Sequence, residues 1–162
     1  MKKPPFDIAL HFINEIGIEI EFRKVSEDEC FLPGLLIESG KIIIDMDKLK
    51  YQGDLLHEAA HIAVVPAAER KSLYGYAIAE RNDAPAEEMM AIAWSYAACI
   101  HLGIDPAFVF HPHGYKAGAQ AIIENFGQGK YIGVPVLQWL GMTSTSASDN
   151  KVYPAMIKWL RD

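Results

Sequence analysis

The residues with the clearest chemical potential are His57, Glu58 and His61, which form an H-E-x-x-H motif. Two helical residues four positions apart differ by about 40° of rotation and about 6 Å of rise, so both histidine rings reach one side of the helix. That spacing suits two imidazole nitrogens that bind one zinc ion. Glu58 lies about 100° round from His57, where its carboxylate can accept a proton from a zinc-activated water. The motif therefore predicts metal-assisted hydrolysis with Glu58 as the general base.

The neighbours of the motif are apolar. From Leu55 to Val65, every other residue is Leu, Ala, Ile or Val, and Glu58 carries the only formal charge. Polar groups buried without partners cost about 1–3 kcal/mol each, so this polar triplet needs partners if its helix is buried. A bound metal would supply them. This favours a metal site over a helix with two satisfied histidines and a surface glutamate.

A third protein ligand is expected, because catalytic zinc normally has three and one open position for water. The extension of the motif by a glycine and a third histidine is excluded, since Val64 and Ala67 stand at those positions. A carboxylate on the following helix is the other common solution, and Glu87 and Glu88 open that helix. Glu88 shares a face with mostly small residues that would let two helices approach closely, which favours it over Glu87. The carboxylate that does not bind the metal would orient a histidine.

Histidines and tyrosines elsewhere in the chain are further candidates. His111 and His113 stand two apart in a Gly/Pro-punctuated stretch that is typical of a loop at the mouth of a site, and either is an alternative third ligand. Peptide hydrolysis also needs a donor to the oxyanion of the tetrahedral intermediate. Tyr115 is the predicted catalytic donor, with His111 and His113 as alternatives and Tyr74 and Tyr76 as further options.

Composition predicts a single domain over residues 1–162. The chain is 51% hydrophobic and 22% charged, as is ordinary for a folded protein. A net charge of −6 without a Lys/Arg cluster disfavours nucleic acid as a partner. Cys30 and Cys99 stand in apolar contexts and are predicted to be reduced core thiols. The longest apolar run, residues 89–100, is too short to span a bilayer, so we expect a cytoplasmic protein without a membrane partner.

The first part of the chain predicts a small sheet. A helical stripe over residues 5–16 is followed by an alternating strand over 18–25. A second strand over 31–37 and a third over 41–45 flank a tight turn and predict a hairpin. We therefore expect a small antiparallel sheet.

The rest of the chain predicts a largely helical body, and hence an α+β fold. Asp45 or Asp47 would cap the motif helix, and Pro66 would end it near Val65. A buried helix over residues 86–100 follows, because its sequence is apolar nearly all round. Shorter helices are predicted over residues 116–126, 135–140 and 153–160, with a Ser/Thr-rich loop over 142–150.

The order of these elements over roughly residues 15–100 resembles that of a minimal gluzincin. The elements are a strand, a hairpin that ends in Ile42-Ile43-Ile44-Asp45, the Leu-Leu-His-Glu-Ala-Ala-His helix and a buried helix opened by Glu87-Glu88. The chain is most similar to the ImmA/IrrE-type metallopeptidase family. The resemblance implies a zincin-like fold with a zinc ion held by His57, His61 and a glutamate, and a peptide or protein substrate. Residues 99–103 depart from the apolar-Met-Pro ending usual in that family, so the substrate itself is not carried over.

Two other functions are compatible with the same motif. One is a regulatory or interaction module that binds metal without catalysis, in which zinc would be structural. The other is a hydrolase of a small amide, which a small closed pocket would favour over an open groove. Zinc is the expected cofactor, but the residue types also suit manganese, iron or cobalt. The sequence does not indicate the oligomeric state.

Overall fold

The computed structural model describes residues 1–146 and 150–162, which form an α+β structure with a small sheet beside a mostly helical body. The strands are β1 (Ile20–Phe22), β2 (Leu35–Glu38) and β3 (Lys41–Ile44). The α-helices are α1 (Pro5–Glu15), α2 (Asp54–Ala63), α3 (Ala67–Arg70), α4 (Ala84–Leu102), α5 (Ala119–Gly127) and α6 (Val134–Trp139). Short 3₁₀ segments cover Glu27–Glu29, Gly75–Glu80, Pro106–Phe108 and Tyr115–Ala117. The predicted α+β class is confirmed.

The sheet is mixed, which corrects the predicted antiparallel arrangement. Its order is β1-β3-β2, with β3 antiparallel to β2 in the predicted hairpin but parallel to β1. Strand β3 takes the centre because Ile42, Ile43 and Ile44 are all buried, so both of its faces are covered. The alternation over residues 18–25 indicates a strand but specifies neither its direction nor its partner.

Strands β1 and β2 are shorter than predicted. β2 begins at Leu35, because the chain turns at Gly34, which has a positive φ of 76°. A β-carbon at Gly34 would overlap the backbone of Leu49, so this turn requires glycine. The residues before Gly34 form a turn, in which the Leu35 N–H donates to the Leu32 carbonyl at 3.2 Å.

The core lies between the helices and the sheet. Helix α2 packs against α4, and α1 packs on α2. At the centre, the fully buried Trp94 ring contacts Phe12 and Trp159 at centroid distances of 5.9 and 5.4 Å. The predicted buried helix over 86–100 is confirmed as α4, which starts two residues earlier and ends at Leu102, where Gly103 with a φ of +65° caps it.

The motif helix α2 begins differently from our prediction. Its N-cap is Gly53, and the expected caps are used elsewhere: the Asp45 carboxylate accepts hydrogen bonds from the backbone N–H groups of Val25 and Asp47. A β-carbon at Gly53 would overlap the carbonyl of Phe108, so the start of α2 lies directly on the segment that follows α4. The predicted end near Val65 is confirmed, since α2 stops at Ala63.

The predicted helix over 153–160 is wrong, because polar groups of the C-terminal segment form hydrogen bonds with other helices instead of with one another. Tyr153 Oη donates to the Ala93 carbonyl at 2.8 Å, and the Trp159 carbonyl accepts from Trp94 Nε1 at 2.9 Å. The Arg161 N–H donates to the Ala63 carbonyl at 2.9 Å. These bonds fix an irregular strap across α2 and α4.

The other short helices are largely as predicted. Helix α6 lies one residue before the predicted 135–140 at each end. Helix α5 starts at Ala119 instead of residue 116, because residues 115–117 take positive φ values. The predicted loop over 142–150 falls partly on residues 147–149, which lie outside the described residues. In the described part of the chain, no helix has the length and apolarity that a membrane crossing requires.

Candidate metal centre

The packing of α2 on α4 brings His57, His61 and Glu88 together. The two Nε2 atoms are 3.1 Å apart, and the Glu88 carboxylate oxygens lie 3.5 Å from His57 Nε2 and 3.2 Å from His61 Nε2. All three ligand atoms lie within 4.8 Å of one another, close enough to bind one metal ion. Tetrahedral zinc with bonds of about 2.0–2.1 Å would set its ligand atoms about 3.4 Å apart, which these separations match.

The adjacent carboxylate, Glu87, belongs to a different interaction. It is 3% exposed and accepts two hydrogen bonds from the Arg81 guanidinium, at 2.7 and 2.9 Å. The expectation that the second carboxylate orients a histidine is therefore wrong. Arg81 also bonds Glu69 at 2.7 Å, and so joins the segment before α4 to α3. No feature of the sequence around Arg81 identified this pairing, which depends on how the 75–83 segment folds.

The pKa values of the two histidines are shifted in opposite directions. Burial, with a further contribution from His61, lowers the pKa of His57 to about 3, so its imidazole is neutral at neutral pH. Burial also opposes the charged form of His61, but the hydrogen bond that His61 donates to Glu88, together with the charges of nearby carboxylates, outweighs it and raises the pKa of His61. The environment of His57 thus favours the neutral imidazole, which is the form that binds metals.

Glu58 lies beside the cluster and faces the same cavity. Burial raises the pKa of its carboxyl to about 7, with the negative charges of Asp54 and Glu88 adding to the shift and His61 opposing it. Asp54 stands one turn before Glu58 on the same side of α2. Sequence reasoning missed Asp54, although its spacing from Glu58 placed it on the motif face.

His111 lies away from the metal-compatible cluster. Its Nε2 lies 2.7 Å from Asp54 Oδ1, and its ring stacks on Tyr51 at a centroid distance of 4.3 Å. His113 also stacks on Tyr51, at 5.3 Å, and lines the cavity, as predicted for a loop at the mouth. In the described part of the chain, the cluster with metal-binding geometry contains Glu88 and not these histidines.

Tyr115 reaches the site from the same loop. Its hydroxyl lies 3.0 Å from His57 Nδ1, the ring nitrogen opposite the one that faces Glu88. Burial raises the pKa of Tyr115 well above its usual value, so the hydroxyl keeps its proton. A direct role of Tyr115 as an oxyanion donor stays a prediction, since the contact seen here is with the histidine.

A cavity of about 950 Å³ opens beside the cluster. Both β2, the outer strand of the sheet, and the 3₁₀ helix Gly75–Glu80, which packs against β2, line the cavity. Of the two further candidate donors, Tyr76 lies among the lining residues. Apolar side chains predominate in the walls, among them Leu32, Leu35, Leu36, Ile37 and Ile78. Phe31 and Tyr76, which are 96% and 79% exposed, stand at the mouth. The cavity can therefore hold an apolar group next to the polar cluster.

The two cysteines have different surroundings. Cys99 is fully buried, as predicted for a core thiol. Cys30 is only half-buried and lines the cavity, so the prediction of a core position for it is wrong. Cys30 directly follows the 3₁₀ segment Glu27–Glu29, outside the sheet and at the surface of the cavity.

No protein-family model matches this chain, and no curated protein and no solved structure is significantly similar to it. The resemblance to the ImmA/IrrE-type family and the zincin-like assignment of the fold therefore stay predictions that rest on the motif and on the order of the elements.

Proposed function

We propose that this chain is a zinc-dependent hydrolase that cleaves a peptide bond, with a zincin-like site of the ImmA/IrrE type. One observation carries the proposal: His57, His61 and Glu88 lie within 4.8 Å of one another at a cavity that Glu58 also lines. Two imidazoles and one carboxylate are a common ligand set of catalytic zinc in hydrolases. The distances between the ligand atoms suit this ion.

The position of each residue in the site supports a separate role. His57, His61 and Glu88 would hold the metal, which supplies Lewis-acid polarisation of a carbonyl group and acidifies a water molecule. Glu58 follows His57 directly in the chain and faces the cavity, so its carboxylate would accept the proton of the attacking water and return it to the leaving amine. Glu87 takes no part, because Arg81 holds both of its oxygens.

The form of the cavity supports a polypeptide substrate over a small amide. The cavity is large, extends along the edge strand β2, and has exposed aromatic residues at its mouth. An extended peptide can lie in such a cavity and place an apolar side chain against its wall. The two thiols, which form no disulfide in the described structure, support a reducing cytoplasmic compartment.

Replacement of the proposed base tests the mechanism. We expect Glu58→Gln to keep one zinc per chain and to lose hydrolysis by at least about 100-fold, because the amide cannot accept the proton. Cleavage of a peptide mixture is followed by mass spectrometry, and bound zinc by elemental analysis of the same samples. Glu15→Gln, an exposed glutamate at the end of α1, is the matched control and should cleave like the wild type.

Cleavage that persists unchanged in Glu58→Gln would contradict the mechanism. Zinc binding without cleavage of any peptide in the wild type would instead favour the non-catalytic metal-binding module.

A further inference from the structure

The Tyr115 hydroxyl lies on the nitrogen of His57 that points away from the cluster. Oη is 3.0 Å from Nδ1, while Nε2 of the same ring faces His61 and Glu88. A neutral imidazole carries one ring proton, so Nε2 has a free lone pair only when that proton is on Nδ1. In that tautomer, Nδ1–H donates to Tyr115 Oη. The Tyr115 hydroxyl can accept from or donate to this nitrogen, and as the acceptor it holds the form of His57 that can bind a metal.

The backbone that carries Tyr115 is strained. Tyr115, Lys116 and Ala117 have φ values of 57°, 51° and 64°, so three successive residues other than glycine occupy the left-handed region. Such residues are uncommon even singly, and they persist only where the surroundings impose the conformation. Within the turn, the Gly118 N–H donates to the Tyr115 carbonyl at 2.9 Å. The residue that contacts His57 is therefore the first of three residues in this strained conformation.

Two contacts attach this loop to α2. His111 Nε2 lies 2.7 Å from Asp54 Oδ1, and Asp54 and His57 stand one turn apart on the same helix. The loop is thus attached twice to one face of α2, at Asp54 and at His57. The Phe110 ring adds a contact with the Tyr115 ring at a centroid distance of 5.1 Å.

We infer that Tyr115 is a positioning residue that fixes the tautomer and ring orientation of His57 for metal binding. The pair of His111 and Asp54 keeps the loop in the strained form that delivers the hydroxyl. Partners on the second nitrogen of a metal-binding histidine commonly serve this purpose, and their loss weakens metal affinity. The inference rests on the proposed metal site, and it assigns the hydroxyl to the histidine and not to an oxyanion.

Tyr115→Phe tests the inference, because it removes the hydroxyl and keeps the ring against Phe110. Zinc affinity is measured by competition with a chromophoric chelator, and we expect the Kd of the variant to rise by about 10- to 100-fold. Tyr74→Phe is the matched control: its hydroxyl bonds Ser39 at 2.7 Å, away from the cluster, so zinc affinity should not change. The visible spectrum of the Co²⁺-loaded protein should change only in Tyr115→Phe, which a general loss of stability would not produce.

A second measurement needs no variant. Long-range ¹⁵N–¹H NMR of the zinc-loaded wild type should show the ring proton of His57 on Nδ1; zinc on Nδ1, with the proton on Nε2, would overturn the inference. Unchanged zinc affinity and an unchanged Co²⁺ spectrum in Tyr115→Phe would overturn it while leaving the proposed function intact. Failure of the wild type to bind zinc would overturn the proposed function and this inference with it.

Discussion

The pair of Arg81 and Glu87 offers a test of how the second helix is anchored beside the histidines. Arg81→Ala would leave the Glu87 carboxylate, 3% exposed, without its two hydrogen bonds. Removal of one partner from a buried ion pair costs about 3–5 kcal/mol. Because the Arg81 side chain is 21% exposed and water can enter its place, we expect a loss near the lower end, about 3 kcal/mol.

The assay is thermal and urea unfolding followed by circular dichroism. For a chain of this size, about 3 kcal/mol corresponds to a fall in Tm of about 6–12 °C. Glu69→Ala removes the exposed partner of the same guanidinium and should cost about 1 kcal/mol or less. In a second comparison, Arg81→Met combined with Glu87→Met should recover most of the loss, because no buried charge is left unpaired.

The reasoning would be refuted by either of two results. One is a loss below about 1 kcal/mol in Arg81→Ala, which would mean that Glu87 is solvated without the arginine. The other is a double variant no more stable than Arg81→Ala, which would mean that the packing of the arginine, and not its charge, stabilises the segment.

Two further predictions concern other parts of the chain. In native protein at pH 8, Ellman's reagent should react with Cys30 but not with Cys99, because burial raises the pKa of the Cys99 thiol to about 12. Both thiols should react in urea, and Cys30→Ser should abolish the reaction of the native protein. Two reactive thiols in native protein would contradict the structure. Gly34→Ala should destabilise the protein much more than Gly103→Ala. Both glycines have positive φ, but of the two only Gly34 has a position where an added β-carbon would overlap backbone atoms, those of Leu49. Equal shifts of the urea unfolding midpoint in the two variants would contradict this prediction.

The motif helix could be predicted because local sequence determines it, and its approach to α4 because the face of the second helix that carries Glu88 has mostly small residues. His57 and His61 share a face by helical spacing, and the small residues that share a face with Glu88 allow close packing. The structure places Glu88, and not Glu87, at the histidines. That outcome follows from helical geometry alone once the two helices are known to pack together.

Other features could not be predicted because they depend on contacts between distant segments. Strand β1 pairs in parallel with β3, the buried central strand. The alternating sequence of β1 predicts a strand but does not indicate this partner or its direction. Residues 153–160 have a helix-like pattern, but polar groups of the C-terminal segment bond α2 and α4 instead. Likewise, the left-handed turn at residues 115–117 contains no glycine, although Gly114 and Gly118 flank it, so the residue types do not indicate its conformation.

The most direct test of the central claim is the zinc content of the wild type compared with two variants of adjacent residues on one helix. Glu88→Gln and Glu87→Gln are dialysed against a buffer of fixed free zinc, and bound metal is measured by mass spectrometry. We expect one zinc per chain in the wild type and in Glu87→Gln, whose amide can still accept a hydrogen bond from Arg81, and loss of zinc in Glu88→Gln. Absence of zinc from the wild type, or its retention in Glu88→Gln and loss in Glu87→Gln, would contradict the assignment of the site.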